Sequence, residues 1–298
     1  MKTQLIKQTI MSKKYTIELK NLHFDYNEKT TVFEAHSMKL EVLESAKNKL
    51  YGIIGPSGTG KTTLISILGG QLNPNGGEVL INETNIYKVT DSIRRGLITM
   101  QMQTATSLRG KLKYNLIFGL PEQIASDYPQ SVAANPSSLP NIPLAKGELD
   151  QIYSEDYLIE VLTNVGLWSL FKDKDGLETL IGEGGLNLSG GQRQRLNFAG
   201  LYLRAKHYKP ALILIDEPTS SLDEISELAI TKMINELGQQ AITLVVAHRL
   251  KTLNEAVAIL DSSLIENRKD MPFFTRLQLD KESQYYRDLM AGKALLDE

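Results

Sequence analysis

Apolar and polar positions follow two rhythms along this chain. They alternate over Tyr15 to Phe24 (YTIELKNLHF) and again over Met38 to Val42, which predicts antiparallel strands with one wet face, both at a sheet edge. Leu50 to Ile54 is instead a short continuous apolar run that ends in glycine, and Lys61 to Leu68 (KTTLISIL) repeats with helical period. The Gly-rich turn between them therefore joins a buried strand to a helix. Short β-rich runs at Ala211 to Ile215, Ile242 to Val246 and Val257 to Leu260, separated by helical segments, predict a parallel sheet covered by helices.

Lys111 to Phe118, Asp156 to Leu170 and Gly191 to Arg204 read as helices that interrupt this alternation, so an inserted helical subdomain is expected at about 110–205. Inside it, Pro121, Pro129, Pro136, Pro140 and Pro143 are half of the ten prolines and stand among Ser, Asn and Ala. That composition marks about 121–150 as an irregular surface excursion. The tail after Asp261 is polar and ends in one weakly apolar helical stripe, Lys281 to Leu296.

Composition narrows the class. The 298 residues suit one large domain or two modest ones, and 42% hydrophobic with 23% charged residues is ordinary for a globular chain. With 33 Lys and Arg against 35 Asp and Glu the net charge is −2, so no basic field advertises nucleic acid or anionic lipid. The absence of cysteine excludes disulfides and thiolate metal sites and fits a reducing compartment, the cytoplasm by default. The apolar runs fall far short of the ~20 residues that span a bilayer. The N-terminal MKTQLIKQTIMSKKYT lacks the apolar centre of a signal peptide, and Met11 is an alternative start.

Three segments carry chemistry. Gly55-Pro56-Ser57-Gly58-Thr59-Gly60-Lys61-Thr62 fits G-x-x-x-x-G-K-[ST] between a predicted strand and helix, with Thr63 next in line. Glycines let such a loop turn its N–H groups onto phosphate, Lys61 reaches the β and γ phosphates, and the Thr62 hydroxyl ligates Mg²⁺. Ala211 to Glu217 (ALILIDE) ends a buried strand on two acids, a costly place for idle carboxylates. Asp216 there suits Mg²⁺, and Glu217 suits an attacking water. Leu188-Ser189-Gly190-Gly191-Gln192 opens a helix with a second anion-ready N-terminus.

With that last string the sequence resembles the ATP-binding cassette (ABC) family of ATPases over about Ile17 to Asp261, LSGGQ being the family signature. The resemblance implies an α/β fold: a P-loop NTPase core of RecA-like type with a mainly parallel sheet, an N-terminal antiparallel β subdomain and an inserted α-helical subdomain. The domain runs over 12–262, its core at about 12–109 and 206–262, with 263–298 as a C-terminal tail. Tyr26 matches the aromatic that stacks on adenine, and Ser189 the serine that caps the γ-phosphate of ATP held by the opposing subunit. Ser220-Ser221-Leu222-Asp223 resembles the D-loop, and His248 the switch histidine that holds Glu217 and water in place.

Gln103, counted back from Arg109 to Leu116, matches the glutamine that links Mg²⁺ and water to a transmembrane partner. Gln101 remains its rival, because Met102 and Thr104 replace the usual proline and acid around it. Asp175 to Gly185, with Glu183, looks like the segment that precedes the signature in exporter-type members, and AHRLKTL from Ala247 points the same way.

Two cassettes, from a homodimer or a heterodimer, would close head to tail over two Mg-ATP, with Lys61 of one facing Ser189 of the other. The implied protein is an ATPase subunit driving a separate transmembrane permease of exporter type from the cytoplasmic face of a membrane, with no nucleic acid. Exporters of this kind usually carry membrane helices on the same chain. The alternative is a soluble single-cassette ATPase acting in macromolecular or cofactor assembly.

Overall fold

The computed structural model describes residues 14–27, 30–43, 46–104, 107–117, 154–182, 186–220, 222–265 and 269–292. The excursion expected at 121–150, Glu183, Ser221 and the far end of the helix expected up to Leu296 lie outside the described residues. The chain forms two compact units, one of Met1–Gln103, Ala211–Ser220 and Ile234–Glu298, the other of Thr104–Pro210 and Ser221–Met233.

In the first unit, β1 (Lys14–Asn27) and β2 (Thr30–Leu43) make a long antiparallel hairpin. After β3 (Leu50–Ile54) and α1 (Lys61–Leu68) the chain returns as β4 (Gly76–Ile81) and β5 (Thr84–Asn85). β4 pairs with the other side of β1, giving the order β2-β1-β4-β5. β1 is thus an interior strand and only β2 keeps the edge position expected of both. Alternation reports which face is wet, not how many neighbours a strand has. α2 (Asp91–Leu97) and β6 (Ile98–Gln101) complete this stretch.

The second unit holds a two-stranded ribbon, β7 (Gly110–Lys111) with β8 (Leu180–Ile181), and the helices α3 (Leu112–Ile117), α4 (Glu155–Asn164) and α5 (Gly190–Tyr208). Leu116, Leu158, Phe171, Phe198 and Leu201 are buried there. The single helix expected over Asp156 to Leu170 is broken: Ser154 caps its start, α4 stops at Asn164, Gly166 takes φ +67°, and a 3₁₀ turn follows at Trp168–Leu170. The apolar period continues across this break because Leu162, Val165, Leu167 and Phe171 on either side of it are all buried, although no residue of the turn itself is.

Back in the first unit, β9 (Leu212–Asp216), α6 (Glu224–Gln240, which starts in the second unit), β10 (Ile242–Val246) and β11 (Ala258–Asp261) build a parallel sheet of order β11-β3-β10-β9-β6. Every residue of β3, β9 and β10 is buried, which is why these strands read as continuous apolar runs. The two sheets share one core, in which Ile17 and Val79 meet Leu64, Leu68, Leu214 and Val246.

Residues 269–274 run beside the outer edges of both sheets. Ser37 of β2 exchanges backbone hydrogen bonds with Lys269 and Met271, and Ile259 of β11 exchanges them with Phe274, at 2.8 Å each. Covering an edge in this way removes a template for unwanted pairing. In place of one helix over Lys281 to Leu296, α7 (Arg276–Glu282) and α8 (Gln284–Met290) meet at Ser283, whose extended backbone stops the first and whose hydroxyl caps the second by accepting from Tyr286 N–H.

The buried aromatic of α5 offers a stability test. Phe198→Ala leaves a cavity at a fully enclosed position and is expected to cost about 3–5 kcal/mol. A lowered urea midpoint checks this; an unchanged midpoint would mean that the second unit packs otherwise.

Candidate active site

Four neighbouring parallel strands end at one edge of the sheet, and each delivers a predicted residue there: the Gly55 loop after β3, His248 after β10, Asp216 and Glu217 at and after β9, and Gln103 after β6. That edge is where open parallel sheets bind ligands. The loop wraps tightly. Gly55 has φ +140° and Gly60 φ +83°, and a Cβ on Gly60 would come within 2.7 Å of Val32 Cγ1. Neither position tolerates an ordinary side chain.

Lys61 is buried, and its Nζ donates to Gly55 O (2.8 Å) and Pro56 O (2.6 Å). α1 begins at Gly60 with no side-chain cap and no acid in its first turn, which leaves its N-terminal dipole to an anion. Pro56 is half-buried, Ser57, Gly58 and Thr62 are exposed, and Thr63 is buried with its hydroxyl 3.0 Å from Tyr26 Oη. Tyr26 is itself 55% exposed and packs edge-on against Phe24, its ring centroid 5.0 Å away.

The two acids differ sharply. Asp216 is 0% exposed, and neither of its oxygens hydrogen-bonds a described residue with normal geometry. Burial pushes its carboxyl up, offset in part by the Thr62 hydroxyl. Glu217 lies one residue beyond the strand at φ +48°, a left-handed conformation that a side chain rarely adopts, and its N–H donates to Val246 O (3.0 Å). This turn brings Glu217 Oε1 to 2.8 Å from His248 Nε2, while Oε2 accepts from Gln103 Nε2 at 2.9 Å. The hydrogen bond to His248 holds the Glu217 carboxyl below its usual range, with burial opposing.

Gln103 rather than Gln101 therefore reaches Glu217. Gln101 is buried at the end of β6, where its amide has no partner among the described residues. Among those residues no group of three His, Asp or Glu side chains forms a metal cage. The donors at hand, the orphaned Asp216 carboxylate and the Thr62 hydroxyl, suit a hard divalent cation whose other ligands come from phosphate and water.

Within the second unit Leu188 is buried and Ser189 caps α5 in a capping box: its Oγ accepts from Gln192 N (3.3 Å), and Gln192 Oε1 accepts from Ser189 N (2.9 Å). Gly190 and Gly191 form the first turn. Leu222 is buried, and exposed Asp223 accepts from Ser226 N and Oγ, both at 2.9 Å, which lowers its carboxyl. Ser226 Oγ in turn accepts from Arg195 Nη1 (3.1 Å), which also donates to Gly166 O, so the starts of α5 and α6 are tied together.

In the first unit Ser220 Oγ donates to Glu217 O (3.4 Å), and Thr219 and Thr252 share a buried hydroxyl contact of 3.1 Å that joins the turns after Glu217 and His248. Neither Ser226 nor the threonine pair stood out in the sequence. The partners are polar residues without a local pattern, and Thr219 and Thr252 are 33 positions apart.

Comparison with known proteins identifies the family. The family model described as ABC transporter matches residues 40–220, more than half of the chain. The chain belongs to the ABC transporter family. The match takes in the Gly55 loop, Gln103, the signature turn and the acids, and stops short of His248 and the C-terminal segment. Among family relatives, a putative export ATP-binding/permease protein of Rickettsia typhi is 32% identical over 274 residues, covering 92% of this chain and 41% of that protein. An ABC transporter ATP-binding protein of Bacillus subtilis is 30% identical over 247 residues, covering 83% and 36%. A bacterial Atm1-family ABC exporter with ATP bound shares the fold at a TM-score of 0.69 and 23% identity, over 94% of this chain and 42% of that one. The chain thus spans less than half the length of these proteins.

Asp216 gives a pH-dependent test. A carboxyl raised above its unfolded value of 3.8 weakens the fold increasingly as pH rises through the raised value. Asp216→Asn is therefore expected to raise the thermal midpoint of the nucleotide-free chain at pH 7, by a margin that shrinks as the pH falls. Calorimetry across that range checks it, and a lower midpoint at pH 7 would reverse the assignment.

Proposed function

We propose that this chain hydrolyses ATP as the nucleotide-binding part of an exporter-type ABC transporter. The single observation that carries the reading is Glu217, a carboxylate held at both oxygens by Gln103 and His248 beside a phosphate-type loop. A carboxylate kept below its usual value stays ionised at neutral pH, so its task is to orient and polarise a water rather than to compete for free protons.

The N–H groups of Gly55 to Thr63 and the Lys61 ammonium would hold the phosphates, and Tyr26 would stack on the adenine. Asp216 and Thr62 fit Mg²⁺, which when bound neutralises charge on the phosphates; Gln103 would stand within reach of it. Positioning and charge neutralisation are the main terms in phosphoryl transfer. The signature residues Leu188 to Gln192 and the D-loop Ser220 to Asp223 would serve the nucleotide of a second cassette, identical or paralogous, in a head-to-tail dimer.

Relatives named as export ATP-binding/permease proteins support a transmembrane permease as partner and a place at the cytoplasmic face of a membrane. They favour transport over soluble assembly work. No helix among the described residues is long and apolar enough to cross a membrane.

Glu217→Gln should still bind ATP while turnover falls by about 10²–10⁴, equivalent to roughly 3–5.5 kcal/mol on the barrier. Steady-state phosphate release together with nucleotide binding measures both; turnover within a few-fold of wild type would remove Glu217 from this role. Lys61→Ala should weaken ATP binding itself. Purification of the tagged chain from detergent-solubilised membranes should recover a multi-span partner, and recovery of soluble proteins alone would reinstate the assembly reading.

A further inference from the structure

β11 is the fifth parallel strand, and it too ends at the edge that carries the site. Its last residue is Asp261, and the next, Ser262, touches the phosphate loop at three points. Ser262 Oγ donates to Ile54 O at 3.0 Å, lies 2.5 Å from Thr59 Oγ1, and occupies the space beside Gly55, where an added Cβ would come within 1.8 Å of it. Thr59 Oγ1 also reaches Pro56 O at 2.9 Å. Two hydroxyl protons are therefore shared among three oxygen contacts, so the pair can serve both carbonyls, Ile54 at the strand end and Pro56 in the loop, or one carbonyl and each other. The first residue of the loop and the middle of the loop rest on one buried hydroxyl.

Asp261 is 1% exposed and anchors the turn after β11. Its Oδ1 accepts from Ser263 N (2.9 Å) and Ser263 Oγ (2.7 Å), and its Oδ2 accepts from Ser283 Oγ. Ser283 is 0% exposed and accepts from Tyr286 N at 2.8 Å, the cap of α8. A buried polar chain thus runs from the start of α8 through Ser283 to Asp261, the backbone neighbour of the residue on which the loop rests. Buried networks of this kind hold one arrangement, because a broken member leaves its partner unsatisfied.

We propose that Ser262 is a positioning residue for the phosphate loop, and that Ser283, acting through Asp261, sets where Ser262 stands, so that the C-terminal segment contributes to nucleotide affinity. This rests on the reading of Gly55 to Thr63 as a phosphate loop. A loop held in shape grips phosphate before and during reaction alike, so loss of the contact raises KM more than it lowers kcat.

The test uses the 298-residue chain, a fluorescent ATP analogue for Kd, steady-state hydrolysis for KM and kcat, and thermal unfolding. Ser262→Ala is expected to raise Kd and KM by about three- to tenfold, the effect of one or two lost neutral hydrogen bonds. Ser283→Ala should raise Kd by about two- to fivefold, and the double variant should bind no more weakly than Ser262→Ala alone, because both act on one route.

Thr275→Ala is the control, since it removes the capping box of α7 without touching that route. It should lower the thermal midpoint and leave Kd unchanged. Should Ser283→Ala unfold, Ser283→Cys keeps the volume, weakens the bond and is read the same way. A Ser283 variant that loses stability but binds like Thr275→Ala overturns the proposal, as does a double variant whose losses multiply. A wild-type chain that binds the analogue while both serine variants match it overturns the proposal alone. Failure of the wild type to bind it at all overturns the phosphate-loop reading and the proposal with it.

Discussion

The site depends on the register of the parallel sheet. Val246 lies between Ile53 and Asp216, Asp261 lies beside Ile54, and Gln101 lies beside Ile215. β3, β9 and β10 are buried at every residue, and a slip of one position would exchange the faces of all their side chains. Parallel strands held in this way all point their carboxyl ends in one direction, so groups as far apart in sequence as Thr59 and Ser262, 203 positions, meet at a single edge. The same register explains the unlike neighbours Asp216 and Glu217. The first is still inside a strand buried on both sides and is starved of partners. The second has left the strand through a strained turn and finds a histidine and an amide.

Much of this was legible from short-range pattern. The glycine loop, the acids after an apolar run and the signature turn each concentrate their information within about eight residues, and each stands where its flanking strand and helix place it. The rest required the third dimension. Gln101 and Gln103 differ by two positions, the period of a strand, so alternation assigns both to one face and cannot separate them. The structure separates them because β6 ends at Gln101 and the chain then turns toward Glu217. The helix break at Gly166 and the division at Ser283 escaped detection because buried residues recur at helix-like spacing on both sides of each, Leu162 and Leu167 at the first, Leu279 and Tyr286 at the second.

β2 and β11 are the outer strands of different sheets, yet both lean on the same loop. Val32 crowds Gly60 at the end where the helix begins, Ser262 crowds Gly55 at the end where the strand stops, and residues 269–274 run along the edges of both strands. The shape of the loop is thus fixed from outside by the two sheets as well as by its own glycines. Here the fold acts on the chemistry through packing rather than charge.

The capping box at Ser189 limits what this residue can recognise. Its oxygen already accepts a hydrogen bond from Gln192 N–H, and its own backbone N–H is consumed by the Gln192 side chain. What Ser189 can still offer outward is the hydroxyl hydrogen and one remaining oxygen lone pair, at a helix start whose field is positive. A cationic donor such as an ammonium could use only that lone pair and would do so against the field, whereas an oxyanion accepts the hydroxyl hydrogen with the field in its favour. The turn is therefore polarised in one direction, and the sign of its visitor is biased by the helix field before any contact is made.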